Sequence, residues 1–477
     1  MAYVIMHFSL LVAVSFGVAR AQQYAIHAQP NTFNSSFTLS ASHRQLYNLS
    51  TLLSKNVEVA LNYERSNWAL GSIDDDGFYD APSVTNSTPA GTLLRVEEVT
   101  DTSYYTIAPN LAMSRILYVT ETLNGSMVPA SAYVLWPWHA KSFSDSSLNV
   151  SGVPVVAWAH GTSGVYGECA PSHIRNLWYQ FSAPYILALQ GYAVVAPDYA
   201  GLGVNQTLEG DDVIHQYMAG PAHANDLFYA VEAARKAFSD LSKQFVVMGH
   251  SQGGLAAWSA AERQARKPVE GYLGAIAASP TTDIMQIFQA APAAQIALAW
   301  RIGQGLSTIF PDFQLSEWLT GEGVRRVELM KELGGCNSVE TQLFPPVKAD
   351  LSRNQYFQRF SEVTSAGRKP ISGPMLVMQG EDDPVVDAGV TASTVNDTCS
   401  AYSDSQIQYA SFGGATHVPV LNAGQQLWLK FIEERFMGID VGKGCSTTTF
   451  SPLRPLDAYQ KDLEHYLQLA MEWYTVA

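Results

Sequence analysis

The sequence of 477 residues lacks the motifs by which several large enzyme classes are recognised. It has no His-Glu-x-x-His pair, no Walker phosphate loop and no complete Gly-x-Gly-x-x-Gly fingerprint, and no two of its 4 cysteines have zinc-like spacing. The acidic run at residues 74–77 is not a calcium loop, because the twelfth position counted from Ser72 is Ser83 instead of Glu. We therefore expect neither a metal nor an organic cofactor.

Positive charge and long apolar runs are also scarce. The chain carries 28 Lys and Arg against 43 Asp and Glu, a net charge of −15, which disfavours nucleic acid and anionic membrane surfaces as partners. Beyond the N-terminus no stretch is long and apolar enough to cross a bilayer. We expect no integral membrane association, while a transient contact with a lipid interface and the oligomeric state stay open.

The N-terminus predicts export from the cell. A short apolar run at residues 8–18 precedes Ala19-Arg20-Ala21, an A-x-A cleavage pattern, so residues 1–21 are predicted to be a signal peptide. An even number of cysteines suits disulfides in an oxidising compartment, although spacing alone leaves three pairings open. Glycosylation sequons accord with a secreted, extracellular protein, and their asparagines are Asn34, Asn48, Asn86, Asn124, Asn149, Asn205 and Asn396.

The most informative motif is a Gly-x-Ser-x-Gly pattern centred on Ser251. It follows the apolar run 245–248 and precedes a stretch typical of a helix, so the serine is predicted to lie on a sharp turn between strand and helix. Such a turn exposes the hydroxyl to a substrate. A free serine is a poor nucleophile, so the chain must also supply a base, an orienting acid and donors for an oxyanion.

Three carboxylates compete for the role of the acid. They follow a predicted buried strand at residues 374–379. Asp383 is favoured because the proline after it restricts its backbone to extended or turn conformations. Asp382 is the close alternative and Asp387 the distant one.

His417 is the predicted base. It lies on a glycine-rich loop after an alternating strand at residues 406–412, and the chain order serine, acid, histidine is that of the α/β-hydrolases. In this interpretation His417 takes the proton from Ser251 and later returns it to the leaving group, while Asp383 fixes the imidazole tautomer.

Two main-chain donors are predicted for the oxyanion. One is the N–H of Gln252, directly after the nucleophile, and the other comes from the loop after an earlier strand at residues 154–159. On that loop we favour the N–H of Thr162, with Gly161 next. His160 is predicted to hold the loop by a hydrogen bond.

Strands alternate with helical patterns through the middle of the chain. This predicts an α/β fold, an α/β-hydrolase with a mostly parallel central sheet and helices on both faces. Residues 22–477 are read as one domain with an inserted helical cap at about residues 281–370. Apolar side chains of this cap, including those around Ile309 and Phe313, are predicted to line an acyl tunnel.

The chain resembles the secretory lipase family, the α/β-hydrolases typified by fungal lipase A, from about Phe78 to about Phe436. Motifs that carry the resemblance are Phe78-Tyr79 with Pro82, the run from Pro89 to Arg95, Arg115, Tyr118, Leu135-Trp136-Pro137, His160-Gly161-Thr162, Cys169-Ala170-Pro171-Ser172, and Gly191-Tyr192 through Asp198-Tyr199 with Gly201. The resemblance implies ester hydrolysis by Ser251, Asp383 and His417, and a helical cap. It also suggests the disulfides Cys169–Cys336 and Cys399–Cys445.

The chain departs from the lipase A type on both sides of the nucleophile. His250 and Gln252 stand where that type often has other residues, which leaves the acyl-chain preference open. We predict a secreted, lipase-like serine carboxylester hydrolase acting on a small-molecule or lipid ester. The alternatives are an esterase for short-chain or polysaccharide-linked esters, a peptidase on the same fold, and a hydrolase-fold binding protein without catalysis.

Overall fold

The computed structural model describes residues 37–290, 292–348 and 351–460. The predicted signal peptide at residues 1–21 and the sequon at Asn34 lie outside these residues. The described strands are β1 (Leu93–Glu97), β2 (Ala112–Glu121), β3 (Met127–Trp136), β4 (Val153–Ala159), β5 (Ala193–Pro197), β6 (Leu241–His250), β7 (Tyr272–Ala278), β8 (Met375–Gly380), β9 (Ile407–Phe412) and β10 (Ser446–Phe450).

These ten strands form one sheet in the order β1-β2-β3-β5-β4-β6-β7-β8-β9-β10. The seven strands β4 to β10 run parallel to one another, while β1, β2 and β3 form antiparallel pairs at one edge. The prediction of a mostly parallel α/β sheet is confirmed. The antiparallel edge is a finding that the sequence analysis did not anticipate.

Helices lie before, between and after the strands. They are α1 (Ala41–Leu46), α2 (Thr51–Ser66), α3 (Pro184–Leu189), α4 (Gly220–Ala237), α5 (Gln252–Arg266), α6 (Ile284–Ala290), α7 (Pro292–Ile309), α8 (Gly321–Leu333), α9 (Asn337–Leu343), α10 (Gln355–Thr364), α11 (Ala388–Ala401), α12 (Pro419–Ala423) and α13 (Gln425–Met437). None of these helices, within the described ranges, is both long and apolar enough to cross a membrane.

Both faces of the central strands are buried, which explains their nearly continuous apolar sequences. In β4, Val155 and Ala157 belong to one core, which contains residues of α4 and α5, whereas Val156 and Trp158 belong to a second core with residues of α13. Successive side chains of a strand point to opposite faces, so a strand between two helical layers must be apolar at every position.

The order of the strands creates a crevice at the end of β4. The chain leaves β4, forms β5 on one side of it, and then returns to form β6 on its other side. At such a switch point the loops after two neighbouring parallel strands diverge and leave room for a ligand. The loop after β4 and the turn after β6 therefore meet at the carboxyl edge of the sheet.

Among the described residues between β7 and β8 there are five helices, α6 to α10. This is the segment for which the sequence predicts a cap. Phe313 is almost fully buried, and its ring packs edge-on against Trp318 at 4.9 Å and against Tyr356 at 5.4 Å between ring centroids. These contacts show that Phe313 contributes to the core of the inserted segment, while its predicted place in an acyl tunnel stays a prediction.

Candidate active site

Ser251 occupies a strained turn between β6 and α5. Its backbone has φ 60° and ψ −120°, a conformation that costs on the order of 1–3 kcal/mol for a residue with a side chain. The flanking glycines allow the close packing of this turn, since a Cβ on Gly249 would collide with the carbonyl of Gly253, and one on Gly253 with the carbonyl of Ala159. The motif thus reflects close approach of main-chain segments.

The structure brings Asp383 and His417 together from the loops after β8 and β9. His417 Nδ1 lies 2.8 Å from Asp383 Oδ2, and the Asp383 side chain is fully buried. Asp382 is exposed, and Asp387 caps the N-terminus of α11 by accepting from the N–H of Gly389. Of the three competing carboxylates, Asp383 alone is hydrogen-bonded to His417 among the contacts of the described residues.

The Asp383 carboxylate is held by a full set of donors. Its Oδ1 accepts from the N–H groups of Val385 and Val386, and its Oδ2 accepts from Gln379 Nε2 at 3.1 Å as well as from His417. Burial raises the pKa of the Asp383 carboxyl, but the hydrogen bond and the charge of His417, with the two N–H donors, outweigh it and leave the pKa below its usual range. The group is therefore poised as a carboxylate facing His417.

Ser251 and His417 are neighbours without a direct hydrogen bond. The His417 ring lies 4.6 Å, centroid to centroid, from the ring of His250, the residue before the serine. Within the described part of the chain the Ser251 hydroxyl has no hydrogen-bond partner, while its N–H donates to the Ala278 carbonyl at 2.9 Å. Catalytic hydrogen bonds are often long in ligand-free structures and tighten when substrate binds.

Free main-chain donors lie next to the serine in the sequence and on the loop after β4 that passes beside it. The N–H groups of Gln252, the first residue of α5, and of Thr162 have no acceptor in residues 37–290, 292–348 or 351–460. A Cβ built on Gly161 would lie 3.2 Å from the Ser251 Cβ, so this loop passes directly beside the nucleophile. Helix N-termini carry partial positive charge, which suits an anionic oxygen at this point.

The N–H of Gly161 is less available than that of Thr162 to donate to a substrate oxygen. The Tyr179 hydroxyl lies against Gly161; burial raises the pKa of the Tyr179 phenol, and a hydrogen bond from the Gly161 N–H opposes that effect in part. A donor engaged by a tyrosine is not free for a substrate oxygen, which favours the N–H of Thr162. His160 Nδ1 lies 2.7 Å from the Gly161 carbonyl, the kind of loop-holding contact predicted for it.

The loop after β4, which is the predicted oxyanion loop, is anchored to the inserted segment. Cys169 is bonded to Cys336, and the N–H of Asn337 donates to the Ser163 carbonyl at 3.1 Å. Cys399 is bonded to Cys445, so both disulfides suggested by the resemblance are confirmed. Gly164 is required here, since a Cβ at this position would collide with Cys169.

Side chains that the sequence analysis did not single out complete this anchor. Thr162 Oγ1 lies 2.8 Å from the hydroxyl of Tyr217, whose buried neighbour Arg301 forms an ion pair with Glu340 at 2.6 Å. An arginine and a glutamate separated by a helix and several turns give no sequence signal of pairing. Only the fold brings them under the loop.

Gln252 is fixed through its side chain as well as its position. Its Nε2 lies 3.1 Å from His215 Nε2 and 3.2 Å from His223 Nε2. Burial lowers the pKa of both histidines to about 3, so both are neutral. Because His215 Nδ1 must donate to the Ala200 carbonyl at 3.0 Å, its Nε2 is an acceptor, and the Gln252 amide must present its nitrogen to it.

The sequons within the described residues are accessible. Exposed side chains are found at all six positions, Asn48, Asn86, Asn124, Asn149, Asn205 and Asn396. Exposure is required for attachment of a glycan, and glycosylation itself stays a prediction. No group of three or more His, Cys, Asp or Glu that could hold a metal ion occurs in the described ranges.

A strained serine, a carboxylate-bound histidine and free N–H donors at the carboxyl edge of this sheet define an α/β-hydrolase. Residues 177–421, slightly more than half of the chain, match the family described as serine aminopeptidase, S33 (Hydrolase_4), and they include Ser251, Asp383 and His417. The chain belongs to this family. No curated protein matches the sequence.

Solved structures of lipases and esterases share this fold. Candida antarctica lipase A in its closed state superposes with a TM-score of 0.61 at 19% identity, covering 78% of this chain and 87% of that one. The rice cell wall degrading esterase LipA from Xanthomonas oryzae gives 0.57 at 16% identity, covering 73% and 99%. A putative hydrolase from Legionella pneumophila gives 0.54 at 16% identity, covering 71% and 98%.

Identities this low establish a common fold, and they do not by themselves assign a substrate. The predicted resemblance to lipase A-type α/β-hydrolases is confirmed at that level. The chain is therefore an α/β-hydrolase with the fold that these lipases and esterases share.

Proposed function

We propose that the protein is a secreted serine carboxylester hydrolase with Ser251 as nucleophile, His417 as general base and Asp383 as orienting acid. The observation that carries the proposal is the 2.8 Å hydrogen bond between His417 and Asp383, beside a serine held at φ 60°. A buried carboxylate bound to Nδ1 leaves Nε2 of the imidazole for proton transfer with the serine.

The reaction proceeds in two halves. Ser251 Oγ attacks the ester carbonyl as His417 Nε2 takes its proton, and collapse of the tetrahedral intermediate expels the alcohol, which receives that proton. Water then attacks the acyl-enzyme, again giving its proton to His417, and the acid leaves as the serine is reprotonated. Asp383 keeps the tautomer and stabilises the imidazolium in both halves.

The N–H groups of Gln252 and Thr162 stabilise the negative oxygen of each intermediate. Neither N–H group has an acceptor among the described residues, which supports this role, because a donor already satisfied by the protein contributes little to a transition state. The oxygen also lies at the N-terminus of α5, whose dipole favours negative charge. Loss of one such donor typically costs about 10²–10³ in kcat.

We propose an apolar acyl group for the substrate. The segment between β7 and β8 is rich in large apolar side chains, and each buried methylene contributes about 0.8 kcal/mol, so longer acyl chains gain affinity. The similarity to Candida antarctica lipase A accords with this preference. The Xanthomonas oryzae enzyme, described as degrading rice cell wall, keeps a short or polysaccharide-linked ester as the alternative.

The experiment that tests the function is an acyl-chain-length profile. Purified enzyme is assayed with p-nitrophenyl esters from acetate to palmitate and with aminoacyl p-nitroanilides, and Ser251→Ala is the control. Turnover that rises with chain length supports the lipase-like proposal, and turnover confined to acetate supports the short-ester alternative. Cleavage of the anilides without cleavage of any ester would overturn ester hydrolysis in favour of the peptidase that the family description names.

We also propose export to the extracellular space. Two disulfides and six exposed sequons support an oxidising, glycosylating route. Expression of the full chain in a eukaryotic host is expected to release enzyme that begins at Gln22 and shifts to lower mass after treatment with N-glycosidase. Retention of unglycosylated enzyme inside the cell would contradict this part of the proposal.

A further inference from the structure

The side chain of His250, the residue before the nucleophile, is buried between two loops of the candidate site. Its ring is fully buried, with Nδ1 2.5 Å from the Tyr179 hydroxyl and Nε2 2.9 Å from the main-chain carbonyl of His417. The residue therefore contacts two loops that lie far apart in the sequence, 71 and 167 residues away.

The protonation of His250 follows from its partners. Burial lowers its pKa to about 3, so the ring is neutral and has one donor and one acceptor. A carbonyl can only accept, hence Nε2 carries the hydrogen and donates to His417. Nδ1 is then the acceptor, and the Tyr179 hydroxyl donates to it.

Each end of this arrangement reaches a part of the proposed machinery. Tyr179 lies against Gly161 on the oxyanion loop, and the accepting carbonyl belongs to His417 itself. The other contact of that carbonyl is a long one, 3.5 Å from Ser279 Oγ. Of the two side-chain contacts that hold the His417 main chain in the described part of the protein, the hydrogen bond from His250 is thus the shorter.

We propose that His250 is a positioning residue that fixes the His417 loop relative to the nucleophile and the oxyanion loop. It does so through two consecutive hydrogen bonds, from Tyr179 to His250 and from His250 to the His417 carbonyl. This inference rests on the proposed function. Ser251 and His417 are not hydrogen-bonded in the free enzyme, so the position of the His417 loop decides whether the transfer distance can close on substrate binding. A misplacement of about 1 Å can cost about 10²-fold in rate.

His250 and Gln252, at which the chain departs from the lipase A type, both direct their side chains to buried partners. The side chain of His250 binds Tyr179 and the His417 carbonyl, and that of Gln252 binds His215 and His223. Both are buried beneath the turn. We therefore expect these two residues to act on the rate constant of the chemical step and to leave the acyl-chain preference unchanged.

Two substitutions of His250 distinguish a role of its hydrogen bond from a role of its volume alone. A glutamine places an amide N–H near the position of Nε2 and can still donate to the His417 carbonyl, whereas a leucine of similar volume cannot. We expect His250→Leu to lower kcat by about 10- to 100-fold with little change in KM, and His250→Gln to recover most of that loss. Equal kcat values for the two variants would overturn the inference.

The hydrogen bond from Tyr179 to His250 can be tested with a matched control. Tyr179→Phe removes the donor to Nδ1 and is expected to lower kcat several-fold. Tyr272→Phe also removes one buried phenol hydroxyl, but Tyr272 begins β7 at the opposite edge of the sheet, where its hydroxyl has no partner in the described part of the chain. An equal loss of kcat in the two variants would contradict the specific role of Tyr179.

An activity-independent measurement keeps this test distinct from that of the proposed function. Hydrogen exchange of the segment 413–424 is expected to be faster in His250→Leu than in wild type or His250→Gln, even in enzyme without substrate. Inactive wild-type enzyme would overturn the ester hydrolase proposal alone. Unchanged exchange together with unchanged kcat in an active His250→Leu enzyme would overturn the positioning role alone.

Discussion

The candidate site has two halves that are held in different ways. The histidine half consists of the loops after β8 and β9, which carry Asp383 and His417. The oxyanion half, named for its proposed role, is the loop of residues 160–164 after β4, which carries Thr162. Both lie beside Ser251 at the carboxyl edge of one sheet, yet the bonds that fix them have little in common.

The histidine half is held by hydrogen bonds between residues of neighbouring parallel strands and their loops. Gln379 at the end of β8 donates to Asp383, and the Asp382 N–H donates to the Ala415 carbonyl at 3.1 Å. Among the described hydrogen bonds of His417, the only short one from a side chain outside these strands and their loops is that of His250, at 2.9 Å. This half depends mainly on the register of the sheet.

The oxyanion half is held by the segment inserted between β7 and β8. Gly164 of this loop packs against Cys169, which is bonded to Cys336. The buried Arg301–Glu340 ion pair lies beside Tyr217, whose hydroxyl contacts Thr162. Glu64 from α2 accepts the N–H of Cys336 at 2.8 Å, so a helix near the N-terminus also contributes. The comparison indicates that distant substitutions should damage the oxyanion half more readily than the histidine half.

Ser251→Ala removes the group that both halves serve. We expect kcat on the best ester to fall by about 10⁵- to 10⁶-fold, because neither half can act without the nucleophile. The melting temperature should stay close to that of wild type. Substantial turnover by the purified variant would show that another residue is the nucleophile.

The histidine half is broken most directly at its acid. Asp383→Asn is expected to lower kcat by about 10⁴-fold, because an amide favours the wrong imidazole tautomer. Asp382→Asn is the matched control, since Asp382 is exposed and its side chain is not bonded to His417. A larger loss for Asp382→Asn than for Asp383→Asn would assign the acid to Asp382.

The oxyanion half is tested through the disulfide of Cys169, against which Gly164 of the loop packs. Replacing Cys169 and Cys336 with serine is expected to destabilise the fold by about 2–5 kcal/mol and also to lower kcat of the folded enzyme, because Gly164 packs against Cys169. The measurements are chemical unfolding and kcat corrected for active sites titrated with a phosphonate.

The second disulfide is the control for that experiment. Cys399 lies near the end of α11 and Cys445 precedes β10, at the amino edge of the parallel strands and thus opposite the site. Its removal should lower stability with little effect on kcat per active site. Equal losses of kcat in the two double variants would mean that the oxyanion loop does not depend on its own anchor.

The smallest expected effect concerns pH and His250. Its pKa in the folded state, about 3, lies below that of an unfolded histidine, about 6.5. Between these two values the imidazole is protonated in the unfolded chain and neutral in the folded protein. This group therefore lowers the free energy of unfolding of the wild type by roughly 1 kcal/mol per pH unit as the pH falls from about 6.5 toward 3. A glutamine at this position does not titrate, so His250→Gln lacks this pH-dependent loss of stability.

The stability deficit of His250→Gln should therefore be largest above pH 7 and should shrink as the pH falls through this window. Chemical unfolding of both proteins at pH 8, 6 and 5 measures the difference. A deficit that stays constant across these values would show that His250 titrates alike in the folded and unfolded states.

Much of the histidine half could be predicted from the sequence, because its information is local. A buried strand followed by Asp383, and another followed by His417, places both residues at the same sheet edge once the strands are parallel. The turn at Ser251 is equally local, since closely spaced glycines and the flanking strand and helix define it. Rejection of Asp382 needed the structure, because adjacent loop residues differ only in where their side chains point.

The oxyanion half was less predictable, because its contacts join residues that are far apart in the sequence. Spacing left the cysteine pairing open, and the resemblance to a known family supplied it. Tyr217, Arg301 and Glu340 have no pattern that links them to Thr162. The antiparallel edge of β1, β2 and β3 was also missed, since the pairing of β3 with β5, which joins this edge to the parallel strands, depends on the whole sheet.

The sequence by itself determined the order of strands and helices and the positions of the serine, the acid and the histidine along them, because periodicity, turn residues and strand ends act over a few residues. The tertiary structure alone decided which carboxylate binds His417, and that the two residues beside Ser251 turn inward to Tyr179, His417, His215 and His223. Those outcomes depend on hydrogen bonds across tens to hundreds of residues, and burial makes each unsatisfied polar group costly, so only the complete fold selects them.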